Sequence, residues 1–200
     1  MKPVDQQTIL ITGATDGIGK LTAKTLAGQG ARVLVHGRNR DKLEKVVAEL
    51  KDASGSAAIE GYVADLASLA EVRGLADEVL AKHPGLDVLI NNAGVGPADP
   101  RLSRDGYELR FAVNFLAPFL LTQHLLPVLR NAAPARIVNV SSAGQEAIDF
   151  NDVMLEKDFE GWRAYCRSKL ALVMFTIELA AQLKDDHITV NSLHPGTYLD

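Results

Sequence analysis

Thr12-Gly13-Ala14-Thr15-Asp16-Gly17-Ile18-Gly19 is the stretch whose reading decides the fold. It follows an apolar run, Ile9 to Ile11, and leads into a helical pattern that starts near Ile18. Glycines at these positions allow a tight turn, a close backbone approach to a pyrophosphate, and close packing of helix on strand. The helix that follows offers free N–H groups and the positive end of its dipole. Gly13, Thr15, Asp16, Gly17, Ile18 and Gly19 therefore form a candidate anion cradle. The competing reading is a plain turn between strand and helix; a flanking strand and helix, both in place, favour the cradle.

Outward from this turn, short β-branched runs alternate with longer amphipathic stretches. Strands are expected at 7–12, 31–36, 57–63, 86–91, 135–140 and 187–193, and helices at about 17–29, 40–52, 68–82, 106–131 and 161–184. Each helical stretch is long enough for a crossover connection. Strands such as Leu86 to Ile90 and Arg136 to Val140 are largely apolar rather than alternating, as in a parallel sheet covered on both faces. The expected class is α/β, a doubly wound parallel sheet.

The 200 residues fit one domain, 1–200, able to bury roughly 70% of the unfolded surface. A composition 47% hydrophobic and 23% charged is too apolar for disorder. The net charge of -4 is spread over interspersed acids and bases, so no basic patch calls for nucleic acid or an anionic membrane. The one cysteine, Cys166, excludes an internal disulfide, suits a reducing compartment and is read as a buried thiol. Met1 to Gln7 lacks a signal-peptide pattern, and no charge-free run of 18 apolar residues exists, so no membrane span is expected and the location is read as cytoplasmic. The histidines have no metal-ligand spacing, and His36, His83, His124 and His187 receive no role.

Three further places carry chemistry. After the second strand, His36-Gly37-Arg38 has no acid to hold the 2'-hydroxyl of NAD, while the Arg38 guanidinium suits a 2'-phosphate, so NADP(H) is preferred over NAD(H). The competing reading leaves Arg38 and Arg40 as solvated charges. Tyr165 and Lys169 are four apart on an expected helix and share one face; a nearby ammonium lowers a phenol pKa by about 1 to 3 units, making Tyr165 a usable acid and base. Pro118 has no N–H, so the helix should kink or loosen near Asn114, whose carbonyl loses its partner. Ser141 and Ser142 end the fifth strand, where a hydroxyl can reach a carbonyl oxygen in the crevice.

Taken together, Thr12-Gly13-x-x-x-Gly17-x-Gly19, Asn91-Asn92-Ala93-Gly94 and Tyr165-x-x-x-Lys169 resemble the short-chain dehydrogenase/reductase family in order and spacing, from about Thr8 to Gly196. The glycine spacing is similar to the compact branch. The resemblance implies a Rossmann sheet of order 3-2-1-4-5-6. It implies cofactor contacts at Asp65 and Leu66 for adenine, at Asn92, Ala93 and Gly94 beside the cofactor, and at Pro195, Gly196 and Thr197 beside the nicotinamide. It implies a catalytic set of Asn114, Ser142, Tyr165 and Lys169, with Lys169 also holding the nicotinamide ribose and the Asn114 main-chain carbonyl holding a relay water. Asp65 also reads as a helix-capping or turn residue, Asn92 and Ala93 as structural, and Ser141 as a loop cap.

The 23-residue spacing from Ser142 to Tyr165 exceeds the family's usual loop by roughly three helical turns and resembles the retinol-dehydrogenase-like members. The extra stretch, Gln145 to Glu160, either lines an apolar pocket or covers surface. The family continues past Asp200 with a lid helix and a seventh strand, so this chain is expected to be truncated or unusually short. Apolar residues run round more than one face of 106–131 and 161–184, which predicts a homodimer or homotetramer through these helices. The expected function is NADP(H)-dependent hydride transfer to or from a small carbonyl or alcohol; the alternative is a nucleotide-sensing regulator on the same fold.

Overall fold

The computed structural model describes residues 1–196. Among them are six strands: β1 (Thr8–Ile11), β2 (Arg32–Gly37), β3 (Ile59–Val63), β4 (Val88–Asn91), β5 (Ala135–Val140) and β6 (Ile188–Leu193). They form one parallel sheet in the order β3-β2-β1-β4-β5-β6. The order reverses between β1 and β4, and in such sheets the crevice outside the carboxyl ends of the strands opens there. The expected fold class and strand order are both found.

The helices are α1 (Gly17–Gly28), α2 (Arg40–Ser54), α3 (Leu69–Lys82), α4 (Leu109–Phe111), α5 (Ala117–Asn131) and α6 (Gly161–Gln182). Side chains at their starts occupy N–H groups that have no intrahelical partner. Asp16 accepts from Gly17 N, Asn39 from Lys42 N and Ser68 from Glu71 N, while Glu160 accepts from both Trp162 N and Arg163 N. Alternate strand residues feed opposite faces of the sheet. Leu10, Leu34, Leu89 and Ile137 pack with Leu75, Leu121, Leu125, Leu172 and Phe175 of α3, α5 and α6. Ile9, Ile11, Val33 and Val35 pack with Ala23, Leu43 and Val46 of α1 and α2.

The helix expected from 106 begins three residues later. Gly106 takes φ +84° in a turn closed by Ser103 Oγ accepting from Tyr107 N, and Glu108 then caps Phe111 N. Between α4 and α5 the chain runs through a π-helical segment, Ala112–Leu116, in which Ala117 N bonds Ala112 O. This is the loosening that Pro118 predicts, since a π segment is how a helix absorbs one lost or displaced N–H. The whole Leu109–Asn131 stretch is long and apolar enough by composition to cross a membrane, contrary to expectation. Its Leu121, Leu125 and Leu129 are nonetheless buried in the core beneath the sheet, so the apolar length is explained by packing.

Of the two apolar stripes on α6, Leu172, Phe175, Leu179 and Leu183 are buried, whereas Met174 and Ile177 are exposed. Phe119 of α5 is 40% exposed beside them, with its ring 5.2 Å from that of Phe175.

Candidate active site

A crevice of about 1450 Å³ opens at the carboxyl ends of β1, β2 and β4. That exceeds the usual range for drug-sized ligands and suits an extended dinucleotide. Gly13, Thr15, Asp16, Gly17, Arg38, Asp65, Leu66, Asn92, Ala93 and Gly94 all line it. At Gly13 and Gly37 the lining is bare backbone because a side chain would not fit. A Cβ on Gly13, at φ +64°, would meet Ala93 Cα at 2.8 Å, and one on Gly37 would meet Thr15 Cγ2 at 2.4 Å. Gly19 instead packs α1 onto the turn: its Cβ would overlap Gly13 O. Ile18 stands outside the lining, one position along α1. The cradle thus fits a pyrophosphate.

Two struts hold this turn: one fits the structural reading of Asn92 and Ala93, and the other, at His36, sequence reasoning missed. Thr12 Oγ1 accepts from both Asn92 N and Ala93 N at 3.0 Å, while Asn92 Nδ2 donates to Thr12 O at 2.9 Å and Gly13 O at 3.1 Å. Asn92 therefore ties the β4 loop to the glycine turn. His36, at the end of β2, accepts from Gly13 N through Nδ1 at 3.1 Å and donates to Ala64 O through Nε2 at 3.0 Å. Acceptance at Nδ1 requires the neutral ring, and burial pushes its pKa down to about 4. The usable signal was its place at a strand end beside the glycine turn rather than any metal spacing.

On the adenosine side Arg38 is exposed and makes no ion pair among the described residues, so its guanidinium is free for a phosphate. Arg40 reaches towards Glu44 instead. Asp16 bonds Lys42 Nζ at 2.6 Å; that bond, then the one from Gly17 N, holds its carboxyl below the usual range. Asp65 accepts from Ala67 N at 3.0 Å and pairs with Arg104 at 3.4 Å, the local turn role that competed with an adenine contact.

At the other end, Lys169 is buried and its Nζ donates to Val140 O at 2.9 Å. The same Nζ lies 5.8 Å from the centroid of the Tyr165 ring and 3.5 Å from where a Cβ on Gly94 would stand. Helix α6, strand β5 and the β4 loop thus converge on one ammonium, whose pKa desolvation lowers to about 8. Asn114 is fully buried; its side chain accepts from Val95 N and donates to Val95 O and Ser168 Oγ, which pins the π segment to the β4 loop. Ser142 Oγ accepts from Gly144 N at 3.1 Å, leaving its O–H free to donate outward. Ser141 Oγ donates to Lys169 O, a structural bond. Pro195 and Gly196 follow β6 in an exposed turn, Gly196 at φ +92°, and Thr197 lies outside the described residues.

The stretch Gln145 to Glu160 is held from below by buried Leu155 and by Phe159, which lies under the Arg110 guanidinium at 5.5 Å. Phe150 is 75% exposed. Cys166 is buried as expected, and burial raises its thiol pKa.

Residues 7–199 match the family profile for short chain dehydrogenases. Retinol dehydrogenase 11 of Mus musculus is 44% identical over 190 residues, 94% of this chain and 60% of that protein. Dehydrogenase/reductase SDR family member 13 of Bos taurus is 42% identical over 194 residues, 95% of this chain and 51% of the relative. The chain thus spans between half and two thirds of the length of these curated relatives. Among solved structures, the Pseudomonas aeruginosa RhlG/NADP active-site complex superposes with a TM-score of 0.80 at 33% identity, covering 100% of this chain and 77% of that one. A metagenomic short-chain oxidoreductase in complex with NADP gives 0.79 at 30% identity, covering 98% and 84%. Ser142, Tyr165 and Lys169 are not among the residues that line this crevice, although the Lys169 ammonium comes against Gly94, which is. The glycine cradle and the Asn92 strut agree with these likenesses: the chain belongs to the short chain dehydrogenase family of oxidoreductases.

Proposed function

We propose that this chain forms the cofactor-binding and catalytic core of an NADP(H)-dependent oxidoreductase acting on a small carbonyl or alcohol, with Tyr165 as proton donor or acceptor. The observation that carries the reading is the buried Lys169 ammonium, set beside the Tyr165 ring and against Gly94 of the crevice. In the crevice the glycine turn would hold the pyrophosphate, Arg38 the 2'-phosphate, Asp65 and Leu66 the adenine, and Asn92 to Gly94 the run towards the nicotinamide, with Pro195 to Thr197 beyond. Bound there, NADPH would supply the hydride.

The chain's own residues handle the oxygen and its proton. The free O–H of Ser142 donates to the carbonyl oxygen and orients it. The Tyr165 phenol gives that oxygen its proton in reduction, or takes it in alcohol oxidation. The nearby ammonium faces the negative charge that the phenol oxygen develops as its proton leaves. Pro118 denies the Asn114 carbonyl its usual donor, which supports a water held there to return the proton through Lys169.

Relatives named retinol dehydrogenase support an apolar alcohol or aldehyde as substrate. The exposed Phe119, Met174 and Ile177 support a homodimer or homotetramer through Leu109–Asn131 and α6. The single buried cysteine supports a reducing compartment such as the cytoplasm. The test is NADPH consumption by the full-length protein against a panel of aldehydes and ketones. Turnover is expected; tight NADPH binding without any turnover would instead favour a nucleotide-sensing regulator.

A further inference from the structure

Trp162 is the only tryptophan in the chain, and it stacks on Tyr165. The ring centroids are 5.6 Å apart and the planes 26° from parallel. Trp162 stands one helical turn before Tyr165 and Lys169 one turn after, so all three share a face of α6. The indole's second neighbour is the turn after β5. A Cβ on Gly144 would meet Trp162 Cζ2 at 3.2 Å and Cη2 at 3.3 Å, and the Gly144 N–H is the one that bonds Ser142 Oγ. One side chain thus touches both the phenol and the turn that shapes the serine hydroxyl.

Core packing does not account for it. Trp162 belongs to neither apolar cluster and remains 54% exposed, although a side chain of that size normally stays buried. Its backbone is nevertheless fixed, because Glu160 accepts from the Trp162 and Arg163 N–H groups at 2.7 Å and sets the first turn of α6, and its ring lies against Tyr165 and the Gly144 turn. A half-open π surface therefore stands beside the proposed proton donor. On the proposed reading, a carbonyl whose oxygen bonds Ser142 and Tyr165 sits beside that surface, since Trp162 lies against both the Tyr165 ring and the turn that holds Ser142 Oγ.

We propose that Trp162 is a specificity-determining residue, an aromatic shelf that selects planar conjugated carbonyl compounds over flexible aliphatic ones of similar size. The proposal rests on the reading of Tyr165 as proton donor. A flat π system stacks on the indole at little entropic cost, whereas a flexible chain gains no stacking and loses rotamer freedom.

The test compares cinnamaldehyde with hexanal in the full-length protein. The parent is expected to favour cinnamaldehyde. Trp162→Ala should lower kcat/KM for cinnamaldehyde about tenfold, mainly through KM, and change that for hexanal by less than about twofold. Trp162→Phe should restore most of the loss. The emission component that Trp162→Phe removes gives a second readout: in the parent it should show saturable quenching by cinnamyl alcohol and none by hexanol. An equal loss on both aldehydes, no loss on either, or no quenching overturns the shelf while leaving Tyr165 as donor, provided Tyr165→Phe is inactive. A parent that binds NADPH yet reduces neither aldehyde overturns the Tyr165 reading and the shelf with it.

Discussion

The Lys169 ammonium stands 5.8 Å from the centroid of the Tyr165 ring, one turn further along α6, and is anchored by a 2.9 Å bond to Val140 O. Burial lowers its pKa from 10.5 to about 8. On the proposed reading, the proton that Tyr165 delivers is replenished from a group that releases it within an accessible pH range. Carbonyl reduction is expected to fall on the alkaline side with an apparent pKa of about 8. A pH profile of kcat/KM checks this; a rate flat to pH well above that value would contradict it.

The same burial costs stability. With its folded pKa below its unfolded one, Lys169 disfavours the native state fully below pH about 8, and the penalty fades as pH rises towards 10.5. The displacement is equivalent to about 3 kcal/mol, offset by about 1 kcal/mol from the bond to Val140. Lys169→Met is thus expected to be inactive yet more stable than the parent by about 2 kcal/mol at neutral pH. Its advantage should shrink near pH 10, as read by urea unfolding at both pH values.

His36 behaves in the opposite pH window. Its folded pKa, about 4, lies below the ordinary 6.5, so the unfolded chain takes up a proton that the folded chain refuses. Stability is expected to fall as pH drops from 6.5 towards 4, by up to about 3 kcal/mol. His36→Gln should lose that acid sensitivity, and its KM for NADPH should rise because the Gly13 turn is no longer braced. Thermal midpoints against pH, for parent and variant, decide the matter.

On the proposed reading Arg38 separates the two cofactors. Arg38→Ala is expected to raise the KM for NADPH about 10- to 100-fold, the worth of a charge-assisted pair, and to leave that for NADH nearly unchanged. Equal effects on both would place Arg38 outside the 2'-phosphate contact.

Much of the fold is legible in the sequence. The glycine spacing, the largely apolar strands and the Tyr165–Lys169 interval are local patterns that reflect local physics, and sheet order and element positions agree with them. Pro118 announced the loosened helix, although the form it takes, a π segment, follows from how Asn114 is tied to Val95 and Ser168. What stayed hidden depends on chain segments meeting across the fold. His36 lies 23 residues from Gly13 and looks unremarkable until β2 is laid beside β1. Arg110 and Glu108 drew no reading from the sequence, yet they are buried as a pair at 2.8 Å, with Arg110 also donating to Asp99 O. Trp162 likewise acquires meaning only when the turn at Gly144 closes on it.

The most direct test of the central claim is the kcat for NADPH-driven carbonyl reduction by Tyr165→Phe in the full-length protein, with NADPH affinity measured in parallel. The substitution removes one hydroxyl and keeps the ring that stacks on Trp162. The expected result is a fall of about 10²- to 10⁴-fold in kcat with cofactor affinity retained. Reduction at the parent's rate would contradict the account.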